Sequence, residues 1–165
     1  MAQPLRCSFC ENADGPSLLY HLVVDHGDET QAILDRTRTH ANEAQLRSSF
    51  VLGEAHPMHC FLQSPQLIGN TPVFDALLAA WRDVVDERAR CGLPIHIACQ
   101  FSAPAEIIRK LLDARPGSAL DAGGFGGLTP LEILCKQRDM AWRRIPAAVE
   151  YIIPDDSDDE MADDE

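Results

Sequence analysis

The chain has 165 residues, about the length of one domain, and its 45% apolar content is enough for a real core. It carries 14 basic against 26 acidic residues, a net charge of −12, so it gets no general electrostatic help toward phosphate backbones and nucleic-acid binding is disfavoured. No apolar run approaches the ~18 residues that span a bilayer, and the N-terminus has no stretch of signal-peptide character, which excludes membrane partners and points to a cytoplasmic or nuclear protein with reduced thiols.

The N-terminal segment, residues 1–15, holds "CSFC", and Cys7 and Cys10 are the only cysteines of the six at a ligand-like spacing. With His21 and His26 they read as C-x2-C-x10-H-x4-H, a set of four donors of the kind that tetrahedral zinc takes. The outer spacings fit a finger-type site, while the middle gap of ten is slightly short of the usual ~12. Zn2+ is therefore the one cofactor the sequence calls for. The stretch "PSLLYHLVVDHGDE" has no basic residue, which argues against a DNA-reading finger. The same residues also read as a helix opened by Gly15 and Pro16, with Leu18, Leu19, Leu22 and Val23 as its buried stripe and "HGDET" as the turn after it.

Three later segments line up: "HPMHCFL", "LPIHIAC" and "TPLEILC", with Pro57, Pro94 and Pro130 at spacings of 37 and 36. Two residues after each proline stands His59, His96 or Glu132, and five after it Leu62, Cys99 or Cys135. Proline is best tolerated at the first helical position, so each segment predicts the start of a short apolar helix. A second helix is expected after each. The stretch "TPVFDALLAAWRDVVDER" places Phe74, Leu77, Leu78, Trp81, Val84 and Val85 on one face, with Thr71 and Pro72 as cap and first turn. "APAEIIRKLLDARPG" does the same with Ile107, Ile108, Leu111 and Leu112, and "PAAVEYII" from Pro146 opens the last. Gly-containing loops ("VLGE", "RCG", "DAGGFGG") join the units.

A helix pair of this kind cannot bury its apolar face alone, whereas stacked pairs can. The units resemble the ankyrin repeat, whose hallmark T-P-L-H-x-A is matched best by "LPIHIAC" and "TPLEILC", although the period exceeds the usual ~33 residues and Glu132 stands in place of His. The resemblance covers roughly residues 16–153 and implies an all-α fold, a solenoid of about four stacked helix pairs. It also implies that Pro57, His59, Pro94, His96, Thr129 and Pro130 are structural motif residues. The competing reading of His59 with Cys60, or His96 with Cys99, as a catalytic pair explains their position-matched recurrence less well.

Residues 154–165 form an acidic tail, expected to be disordered, in which Ser157 precedes three acidic residues and resembles a kinase acceptor. Arg138, Arg143 and Arg144 make a compact basic cluster before it.

By resemblance the chain is a non-catalytic protein–protein interaction scaffold, expected as a monomer. Its contact residues would come from the loops before the three prolines: Glu54, Arg90, Phe125 and Leu128. The alternative is a zinc-containing regulatory protein that binds nucleic acid or a regulatory partner.

Overall fold

The computed structural model describes residues 17–48 and 55–144, with no side-chain description at 125 and 138–144. Among the described residues it is all-α, with seven α-helices and short 3-10 turns, and no strand forms beyond isolated bridges. No helix among them is long and apolar enough to cross a membrane.

The helices come in pairs. Helix α1 (Leu18–Asp25) is followed by α2 (Thr30–Thr39), α3 (Pro57–Gln63) by α4 (Thr71–Ala80), and α5 (Pro94–Gln100) by α6 (Ala105–Ala114). Helix α7 (Pro130–Arg144) follows them. The first helix of each pair packs on the first helix of the next, so α1, α3, α5 and α7 form a continuous inner row, and α2 packs on α4 outside it. The inner row holds the core. Residues 57–62 of α3 and 94–99 of α5 are buried without a break. Because successive helical residues turn by about 100°, such a run is covered on every side. The outer helices bury one stripe each: Val73, Phe74 and Leu77 in α4, and Ile107 and Leu111 in α6. Phe61 and Phe74 meet with ring centres 6.0 Å apart.

Each pair ends in the same way. After α2, α4 and α6 one residue leaves the helical conformation (His40, Trp81, Arg115) while its N–H still bonds back to the helix, and a five-residue 3-10 turn follows. These turns span Ala41–Gln45, Arg82–Asp86 and Pro116–Leu120. This corrects the single helix expected from Thr71 to beyond Val85. The helical period of Trp81, Val84 and Val85 is real, but the chain breaks at Trp81, whose ring packs edge-on against His56 at 4.6 Å. Val84 and Val85 then reach the core from the 3-10 turn. The cap of α4 also differs by one residue: Asn70, not Thr71, accepts the N–H of Val73, at 3.2 Å.

Short antiparallel bridges lie where the units join. Ser48 pairs with Ala55, and Ala89 with Gly92, each through two backbone hydrogen bonds. Gly92 has φ of 106°, and an added Cβ would sit 2.8 Å from the Gly123 carbonyl of the next loop, so this position requires glycine. The last inner helix runs on through Arg144 without the turn expected before Pro146, and the helix expected from Pro146 lies outside the described residues, as does the tail.

Candidate functional site

The histidines at the third position of α3 and α5 have matching environments. His59 Nδ1 accepts the backbone N–H of His56 (3.3 Å), and His96 Nδ1 accepts that of Leu93 (3.2 Å). The opposite nitrogens reach carbonyls in the loop that closes the same unit: His59 Nε2 to Glu87 at 3.0 Å, and His96 Nε2 to Asp121 at 2.7 Å. An N–H can only donate and a carbonyl can only accept, so each ring carries its proton on Nε2. Each therefore ties a helix start to a distant loop, through one buried bond at the cap and one part-buried bond to the loop. Burial holds the His59 pKa down to about 4.

The other two inner helices use different chemistry at the same place. At α1, Ser17 accepts from Tyr20 N–H at 3.2 Å, and Glu43 reaches across from the first 3-10 turn to accept Leu19 N–H at 2.9 Å. Arg36 donates to both oxygens of that carboxylate. Although burial alone would raise the Glu43 pKa, Arg36 and the Leu19 N–H together hold it below the ordinary value. At α7, Thr129 and Glu132 close a capping box, with Glu132 accepting Thr129 N–H at 2.8 Å and Thr129 Oγ1 accepting Glu132 N–H at 3.3 Å. Among the described residues Glu132 makes no bond to a later loop like those of His59 and His96.

The loop edges line up along one side of the units. Arg47 pairs with Glu87, and Arg88 pairs with Asp121, each link running from one loop to the next. Arg47 Nε also donates to His56 Nε2 at 3.0 Å, and burial together with this guanidinium lowers the His56 pKa. Arg90 is exposed in the reversal that joins Ala89 to Gly92. Leu128 is half-buried and packs against the core. Phe125 lies in the 3-10 turn Phe125–Gly127, and its side chain and Glu54 fall outside the described residues. Four exposed apolar side chains that the sequence reading did not single out are Leu46, Phe101, Leu120 and Leu131.

His21 and His26 come together. Their rings meet edge to face with centres 5.0 Å apart, and Asp25 Oδ2 holds His21 Nδ1 at 2.7 Å. Cys7 and Cys10 lie outside the described residues. Among the described residues no three potential metal ligands converge.

The thiols next to the latch histidines are poor nucleophiles. Cys60 and Cys99 are buried, and burial pushes both pKa values up to about 11. His59 and His96 have both ring nitrogens committed to backbone groups, so neither is placed to take a proton from its neighbouring cysteine. Shallow clefts of about 310 and 390 Å³ lie between outer helices, lined mainly by alanines and by ion-paired charges such as Lys110 and Asp75. Neither gathers the convergent polar groups of a small-molecule site. Comparison of the chain with protein-family models, with curated proteins and with solved structures gave no match.

Proposed function

We infer that the chain is an interaction scaffold of ankyrin-like repeats, whose loops and inner helices present a surface to another protein. One observation carries this reading above the rest: in two successive units the third residue of the inner helix is a histidine spending both nitrogens on backbone groups, one at its own cap and one in the loop that closes the unit. Such bonds fix loops relative to helices, and a rigid frame presenting loops is what a binding surface needs. The inert thiols beside these histidines support a non-catalytic role.

The surface assigned to the partner is the loop edge around Arg90, with Phe101 beside the inner row. The test is chemical crosslinking in cells followed by identification of attached proteins, comparing Arg90→Glu with Arg38→Glu on the outer helix α2. A partner lost with Arg90→Glu and kept with Arg38→Glu is the expected outcome. A partner indifferent to Arg90 and lost with Arg38→Glu would move the surface to the outer helices and overturn this assignment.

A further inference from the structure

We propose that His56 is a proton-operated switch in the link between the first two units: a proton taken up on its Nε2 frees Arg47 and brings the ring onto Glu87. This goes beyond the scaffold reading and stands or falls independently of it.

Three elements meet at this point. His56 caps the start of α3 and is 2% exposed. Its Nε2 accepts the Nε–H of Arg47 at 3.0 Å and lies 3.9 Å from Glu87 Oε2. Arg47 also pairs with Glu87, the contact that joins the first loop to the second. An N–H donates, so a neutral His56 that accepts from Arg47 carries its own proton on Nδ1. Backbone carbonyls of Gln45 and Leu46 lie near the ring, although Nδ1 has no partner in hydrogen-bond geometry among the described residues. A second proton therefore goes to Nε2. It fills the lone pair that Arg47 uses and sets two cations 3.0 Å apart. Like charges so placed repel, while Glu87 is the acceptor within reach of the new donor. The charged ring thus competes with Arg47 for one carboxylate. The side chains of Arg47 and Glu87 are 41% and 34% exposed, so water can solvate both as they part.

The second link is built without this device. Leu93 caps α5 where His56 caps α3, and Arg88 pairs with Asp121 and donates to the Gly123 carbonyl. One link is therefore sensitive to protons and the next is not. The sign follows from the surroundings of the ring. Burial, and after it the charge of Arg47, hold the His56 pKa below its ordinary value. The first link is closed at neutral pH and opens as pH falls below ~6.5. Among the described residues the other titratable group facing His56 is His59 of its own helix, with ring centres 5.6 Å apart. Its pKa of about 4 keeps it neutral while His56 takes up the proton.

The experiment is 15N NMR of the full chain from pH 7.5 to 5.0. At pH 7.5 a scalar coupling should connect Arg47 Nε and His56 Nε2 across their N–H···N bond. As pH falls, the His56 ring nitrogens should titrate with a midpoint below ~6.5, and the coupling should vanish with that same midpoint. Exchange of the Arg47 guanidinium protons with water should rise about tenfold relative to those of Arg88, the scale of one lost hydrogen bond. His56→Leu, which copies position 93, should abolish this rise, with far-UV circular dichroism reporting its fold. Glu87→Gln keeps the Arg47–His56 bond but removes the carboxylate that the charged ring takes, so the His56 midpoint should fall further. No coupling at pH 7.5, a ring still wholly neutral at pH 5.0, an equal response at Arg88, or an unmoved His56 midpoint in Glu87→Gln overturns the proposal.

Discussion

Helices α5 and α7 begin almost alike in sequence, "LPIHIAC" and "TPLEILC", yet they are anchored differently. His96 reaches Asp121, 25 residues further on, while Glu132 binds Thr129, three residues back, and among the described residues no later loop. The difference teaches that one residue at the third helical position decides whether a helix start is a long-range latch or a local cap. Imidazole can do the first because it accepts at one nitrogen and donates at the other, in opposite directions. A carboxylate only accepts, so it serves donors at its own helix end and offers nothing to a carbonyl.

The strongest way to break this comparison is to remove the latch. His96→Ala should destabilise the protein by about 4 kcal/mol, because it orphans the buried Leu93 N–H and Asp121 carbonyl and leaves a cavity. Urea denaturation against Glu132→Ala is the check. If both variants shift the midpoint equally, the latch and the cap are not distinct.

The latch should also be sensitive to acid. His59 has a folded pKa near 4, below the ~6.5 of an unfolded histidine, so the unfolded state binds the proton first as pH falls. Stability is therefore full above pH ~6.5 and declines toward pH ~4, by up to about 3 kcal/mol. His56, also shifted down, adds in the same direction. Urea midpoints at pH 7.5 and 5.0 should diverge in the parent protein and draw together in His59→Gln. Equal divergence in both would place the titrating group elsewhere.

The cap at α7 should give the smallest effect. Thr129→Ala should cost about 1 kcal/mol, the ordinary value of a lost helix cap, with no new pH dependence above pH 5. A loss as large as that of His96→Ala would mean that Thr129 also ties distant parts together.

The starts of the inner helices were legible in sequence because proline at a first helical position is a local signal, as Pro57, Pro94 and Pro130 show. The breaks after the outer helices were not. Trp81, Val84 and Val85 keep a helical period straight through the break, and only the third unit marks it, with Pro116. Glu43 was missed for another reason. "ANEAQ" looks like a solvated turn, and nothing local shows that folding brings Arg36 and the Leu19 N–H to that carboxylate. The pattern pointed to His59 and His96 but not to their carbonyl partners, and the pairs Arg47–Glu87 and Arg88–Asp121 span 40 and 33 residues. Arg90 was readable as a loop-tip residue, whereas the half-burial of Leu128 depends on core packing that "GGLTP" does not announce.

The paired loop edges carry one further consequence. The residue that ends each 3-10 turn is Leu46, Glu87 or Asp121, and the residue after it is Arg47, Arg88 or Ala122. Arg47 and Arg88 each meet the acid one unit ahead. The edge therefore has a direction, like a row of plugs and sockets all facing one way. The middle loop carries both parts, the first only a plug and the third only a socket. Two such edges laid side by side in opposite order would set acid against acid, so the charges that join neighbouring units also fix the one order in which they can be joined.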